Sequence, residues 1–173
     1  MEKPSTIKKL DPLVVKNLWS TDEILVLKAL HRLRTRGNIH YIPELLRLLN
    51  QTSNEAVEKE LVRFIADVKD VAIIPYILAG LKDPDLESAH GNIVAACWQS
   101  GLDYSHELKL FISLFIDGDY RTSLESFTVI EESVQNLSKK EIEEVLNLTL
   151  KGLEQVNEEK KPLARELIIL LQA

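Results

Sequence analysis

The feature that most constrains this chain is a repeat with a spacing of 32 to 33 residues. The segments IPELLRLLN and IPYILAGLK begin at Ile42 and Ile74, so their prolines, Pro43 and Pro75, lie 32 residues apart. Polar residues at the segment ends recur at spacings of 32, 33 and 33: Asn38, Asp70, Asp103 and Asn136. This period is typical of stacked helix pairs, because a single pair buries too little apolar surface to stand alone.

Apolar residues within each repeat are spaced as on one side of a helix. In residues 42–50 and 55–68 they recur every three or four positions, and no long segment alternates apolar with polar residues as a strand would. The spacing predicts five helix pairs. Their first helices are predicted at 7–19, 39–50, 71–81, 104–116 and 139–156, and their second helices at 22–36, 54–68, 85–100, 120–136 and 158–172.

The stretch IPELLRLLN…NEAVEKELVRFIADVKD, followed by IPYILAGLKDPDLESA, resembles HEAT repeats. That family pairs a first helix of the form I-P-x-L-x-x-L-L with a D-P-D turn and a second helix. The resemblance implies an all-α fold, a right-handed α–α superhelix of about five helix pairs in one domain spanning residues 1–173. The expected repeats are 7–38, 39–70, 71–103, 104–136 and 137–173. It also implies a concave surface of second helices that binds another protein, with no catalytic role.

Charge and cysteine content limit the function classes. The 173-residue chain has a formal charge of −6, with nine Lys/Arg against five Asp/Glu in residues 1–50 and eight against eighteen in 51–144. The acidic middle repels phosphate backbones and disfavours nucleic-acid binding. Cys97 is the single cysteine, which fits a reducing compartment. No apolar run approaches the roughly 18 residues of a membrane helix, so we predict a cytoplasmic protein with no membrane contact.

Carboxylates at the predicted corners have a structural interpretation. In KDPD we expect Asp85 to cap the following helix, and we expect the same of Asp119 in DGD and of Asn54. A calcium loop of the EF-hand type would need an Asp or Asn at Glu87 and a glycine at Ser88. The sequence therefore predicts no metal and no cofactor.

Two histidine motifs have the residue types of a catalytic or metal site. His90 and Cys97 share a helix face, but a cysteine nucleophile needs a base and an orienting group, and IVAACW is an apolar run typical of a buried thiol. Gly91, which costs about 1 kcal/mol against alanine within a helix, favours a close helix contact over a ligand contact. His106-Glu107 is a single His-Glu pair, whereas HEAT-like iron-dependent hydroxylases use several. We predict that the chain is not an enzyme.

The predicted groove supplies the candidate partner-binding residues. They are Arg32, Arg36, Lys59, Arg63, His90 and Gln99. Lys28, His31, Arg32, Arg34 and Arg36 form a basic stretch, which keeps an alternative open: a small nucleic-acid-binding or base-repair module acting through the N-terminal end. Trp19 and Trp98 are interpreted as packed residues with bonded N–H groups, the alternative being partner anchors.

Overall fold

The structure of the protein is a computed structural model that describes residues 10–36 and 38–173. The predicted starts of the first helix and of the first repeat, at residue 7, lie outside these residues, as does the side chain of Arg36. Helix accounts for 83% of the structure, and the described residues include no strand. The prediction of an all-α protein is confirmed.

Ten α-helices lie within the described ranges, one in each predicted helical segment. They are α1 (Pro12–Leu18), α2 (Glu23–Arg36), α3 (Ile42–Gln51), α4 (Glu55–Asp67), α5 (Ile74–Leu81), α6 (His90–Ser100), α7 (Leu108–Asp117), α8 (Tyr120–Val134), α9 (Lys139–Gly152) and α10 (Lys161–Gln172). Short 3-10 turns adjoin several of them, at Ile39–Tyr41, Val71–Ile73, Pro84–Ala89, Ser105–Glu107, Leu153–Gln155 and Glu158–Lys160.

Three of the four recurring polar residues start first helices. The side chains of Asn38, Asp70 and Asp103 each accept the backbone N–H two residues further on, at 2.9 Å. Each of these bonds satisfies one donor of the 3-10 turn that leads into α3, α5 or α7, a group that has no partner within the helix. The period therefore marks a repeated cap at its first three positions, whereas α9 is capped by Ser138 rather than by Asn136.

One predicted cap is wrong. Asp83, rather than Asp85, caps the corner, since its Oδ1 accepts the Asp85 N–H at 3.0 Å. Pro84 then occupies the first position of a 3-10 segment, where its missing N–H costs nothing, and α6 begins at His90 rather than at the predicted residue 85. The caps predicted at Asn54 and Asp119 are confirmed by bonds from Ala56 N (2.9 Å) and Thr122 N (2.7 Å).

The chain divides into two compact units, Met1–Glu87 and Ser88–Ala173, called here the N-terminal and C-terminal units. In the N-terminal unit α1 packs on α2, α3 on α4 and α5, and α2 on α4. In the C-terminal unit α7 packs on α8 and α9, α6 on α8, and α10 on α8 and α9. Their largest fully buried side chains include Leu30, Leu45 and Leu61 in the first unit and Ile93, Phe111 and Phe115 in the second. The single domain over residues 1–173 stays a prediction.

Candidate interaction surface

Arg34 is held by neighbouring side chains of α4. Its Nε and Nη2 donate to Glu60 Oε1 at 3.0 and 2.9 Å, and its Nη1 donates to Asp67 Oδ2 at 2.6 Å. The guanidinium also lies 5.4 Å from the centre of the Phe64 ring. These contacts bind α2 to α4, so this member of the basic stretch serves packing within the unit.

The predicted groove residues of the N-terminal unit have different surroundings. Residues two apart on a helix point about 200° apart, and Arg34 faces α4, so Arg32 faces away from α4. There it pairs with Asp11 at 3.3 Å. Lys59 and Arg63 lie one turn apart on the exposed side of α4, with Lys59 2.5 Å from Glu55. Arg36, the fourth candidate, has a side chain outside the described residues.

His90 and Gly91 lie where α6 approaches α8. A Cβ on Gly91 would stand 3.2 Å from Arg121 Cγ and 3.4 Å from Thr122 Oγ1. Asn92 adds a hydrogen bond, since its Oδ1 accepts from Arg121 Nη2. The glycine thus admits a close contact between two helices, as the packing interpretation expects. His90 is half-buried, and its Nε2 has no hydrogen-bond partner among the described residues.

Cys97 is part of the core of the C-terminal unit. The side chain is 1% exposed, and burial raises the pKa of the thiol to about 12, with a smaller opposing effect from the Tyr104 hydroxyl. A thiol that stays protonated at neutral pH is a poor nucleophile. The residue behaves as a small apolar side chain.

Because the Cys97 thiol is buried and protonated, we expect it to react slowly with thiol reagents. At pH 8 a pKa of about 12 leaves roughly one thiolate in ten thousand, and the core excludes reagent, so Ellman's reagent should label the native chain at least about a thousandfold more slowly than the chain in denaturant. A matched control is Gln99→Cys in a Cys97→Ala background, which should react at the rate of a free thiol. Equal native and unfolded rates for Cys97 would contradict this assignment.

Both tryptophans bond their indole N–H to a glutamate and remain partly exposed. Trp19 Nε1 donates to Glu44 Oε2 at 3.1 Å, and Trp98 Nε1 donates to Glu125 Oε2 at 2.7 Å. Each of the two residues is 38% exposed. The bonded N–H agrees with the packing interpretation, while the exposed part of the ring leaves surface for a partner.

The exposed side of α8 adjoins Trp98 through Glu125. Helical spacing places Tyr120, Leu124 and Thr128 opposite the buried side of this helix, and the first two are 43% and 41% exposed. Glu125 lies on the flank toward Trp98. We call the following set the α6–α8 face: Trp98, Gln99, Tyr120, Leu124, Glu125 and Glu132. Gln99 is exposed there, as the groove prediction requires.

The net negative charge of the chain belongs to the unit that carries this face. Residues 88–173 hold fourteen Asp/Glu against eight Lys/Arg, whereas residues 1–87 hold thirteen of each. The α6–α8 face thus combines exposed apolar side chains with two carboxylates, Glu125 and Glu132, on a negatively charged unit, and Arg121 is the exposed cation beside them. This balance favours a basic partner.

Lys160 is a buried cation that the sequence did not single out. It is 2% exposed, and its Nζ donates to the carbonyls of Phe115, Ile116 and Gly118 at 3.2, 2.6 and 2.8 Å. Burial lowers the pKa of the ammonium, and the carboxylates of Asp117 and Asp119 oppose that shift. The group closes the C-terminal end of α7, where carbonyls lack partners within the helix. The sequence gives no sign of this burial, because Lys160 lies in NEEKKP, a charged segment typical of an exposed corner between helices.

The described part of the chain shows neither a metal cluster nor a membrane-spanning helix. Residues 10–36 and 38–173 contain no group of three or more His, Cys, Asp or Glu placed to hold a metal ion, and His106 is exposed. None of the helices described has the length and apolar character needed to cross a membrane. Comparison with protein-family models, curated proteins and solved structures gave no match to this chain.

Proposed function

We propose that this chain is a non-catalytic protein-interaction module, a scaffold or adaptor built from HEAT-like helix pairs that stack as a right-handed superhelix. Two features support the repeat architecture. Within each unit, first helices pack on first helices and second on second, as α3 does on α5 and α6 on α8. The capped turns at Asn38, Asp70 and Asp103 also repeat with the period of the sequence. A cytoplasmic location and the absence of a cofactor belong to the same proposal.

The α6–α8 face is the observation that carries the proposal. Trp98, Tyr120 and Leu124 are each more than a third exposed. Clustered aromatic and aliphatic side chains rimmed by polar groups are typical of protein-binding surfaces. Lys59 and Arg63 on α4 remain candidate contacts in the N-terminal unit.

The nucleic-acid alternative has less support. Of the five basic residues proposed for it, Arg34 is occupied by Glu60 and Asp67, and Arg32 is paired with Asp11. The Arg32–Asp11 pair is exposed and worth at most about 1 kcal/mol, so it yields to a competing phosphate more easily than the Arg34 contacts do. A gel shift at low salt decides this alternative.

A matched pair of leucine variants tests the proposal. Leu124→Glu places a charge on the α6–α8 face, and Leu148→Glu does the same on α9 at nearly equal exposure, 41% against 37%. We expect the tagged full chain to capture a protein that Leu148→Glu retains and Leu124→Glu loses at least about tenfold, because a buried interfacial charge removes the apolar contact. Equal capture by both variants would mean that the partner binds elsewhere.

A further inference from the structure

A small pocket opens beside Trp98 in the C-terminal unit. It has a volume of ≈ 190 Å³ and lies between the end of α6 and the second half of α8, with Trp98, Asp103 and Glu132 among its lining residues. Small-molecule sites usually measure about 300 to 1,000 Å³. The pocket is therefore sized for the head of a single side chain.

The lining of this pocket is negative without an internal counter-charge. Asp103 and Glu132 are the ionisable acids of the lining, and none of the ten lining residues is Lys, Arg or His. The Ser105 N–H donates to Asp103 Oδ1 at 2.9 Å and holds the pKa of that carboxyl below its usual value. Glu132 is exposed. Asp103 is also bonded by the Ser105 hydroxyl and the Asn136 side chain and lies near His106, so Glu132 is the carboxylate more open to a cation from outside.

The aromatic wall of the pocket is held in place. Trp98 Nε1 donates to Glu125 Oε2 at 2.7 Å, a charge-assisted bond that orients the indole ring. Gln135 and Asn136 also line the pocket, and the Asn136 side chain bonds Asp103. An indole ring beside carboxylates suits a planar guanidinium, which stacks on aromatic rings and donates in two directions, better than it suits an ammonium.

We propose that this pocket binds an arginine side chain presented by the partner protein. The inference rests on the proposed function, because the bound arginine would be the charged contact between the partner and the α6–α8 face. Trp98 supplies the stacking surface, and Asp103 and Glu132 supply the counter-charges. Glu125 acts as a positioning residue, since its carboxylate holds the indole.

A partner-independent probe tests the pocket. N-acetyl-arginine amide is titrated into the full chain at constant ionic strength, and N-acetyl-citrulline amide, which has nearly the same shape without the charge, serves as the control. The two tryptophans give two indole N–H signals, which the Trp19→Phe variant assigns. We expect a saturable shift of the Trp98 signal with arginine and a response at least about tenfold weaker with citrulline. Glu132→Gln should weaken the arginine affinity about threefold, whereas Glu154→Gln, an exposed acid away from the pocket, should leave it unchanged.

The outcomes separate this inference from the proposed function. Equal responses to arginine and citrulline, or an arginine response that Glu132→Gln leaves unchanged, would overturn the pocket assignment. Partner capture that Leu124→Glu abolishes and Glu132→Gln leaves intact would overturn the arginine contact while the interaction surface stands. A saturable arginine response with capture unaffected by Leu124→Glu would leave the pocket in place and contradict the proposed surface.

Discussion

Replacing Lys160 with methionine is expected to destabilise the C-terminal unit by about 3 kcal/mol. The substitution keeps most of the side-chain volume and removes all three donors from the carbonyls of Phe115, Ile116 and Gly118. Phe115 O keeps a second donor, Ser123 Oγ at 2.7 Å. The other two carbonyls lose the bond from Lys160, and hydrogen bonds from a charged donor are worth about 1.5 to 3 kcal/mol each.

Urea unfolding followed by the fluorescence of Trp98 measures this loss. In a Trp19→Phe background the remaining tryptophan reports on the C-terminal unit. The matched control is Lys161→Met, because that neighbouring lysine is ion-paired with Glu158 at the surface and should contribute less than about 1 kcal/mol. If the two variants lose equal stability, the cap assigned to Lys160 is wrong.

Gly118→Ala is expected to cost about 2 kcal/mol at the α7–α8 corner. A Cβ at this position would lie 2.6 Å from Leu114 O, 2.7 Å from Thr122 Cγ2 and 2.8 Å from Thr122 Cβ. None of these atoms is the free end of a long side chain, so the start of α8 must move. That movement also weakens the cap that Asp119 provides to Thr122 N. Overpacking of this kind costs about 1 to 3 kcal/mol.

Gly91→Ala is the control for Gly118→Ala. Its added Cβ would meet methylene groups of the Arg121 side chain, which can move, and the alanine gains about 1 kcal/mol of helix propensity. Thermal and urea unfolding should therefore show a change below about 1 kcal/mol for Gly91→Ala and a clear loss for Gly118→Ala. An unchanged midpoint for Gly118→Ala would mean that the corner is looser than the structure describes.

The sequence predicted the helices well because their signals are local. Apolar spacing, short corners and polar caps such as Asn54 and Asp119 all act within a few residues. The error at Asp85 arose within the same local reasoning. Asp83 and Asp85 flank Pro84, and aspartate is a favoured capping residue at either position. Only the backbone geometry of the 3-10 segment selects Asp83.

The surface was harder to predict because it depends on pairs that are distant in sequence. Trp98 and Glu125 lie 27 residues apart, and Lys160 reaches carbonyls at least 42 residues away. No local pattern identifies such partners. The basic stretch shows the same difficulty: Arg32 and Arg34 look equivalent in the sequence, yet they point to different sides of α2.

Amide chemical-shift mapping of the full chain against the captured partner tests the central claim most directly. We predict that the perturbed signals cluster at the end of α6 and along the exposed side of α8, including the indole N–H of Trp98, and that the amides of α9 change little. Perturbations confined to α9 or to the first helices of the N-terminal unit, with Trp98 unchanged, would contradict the account.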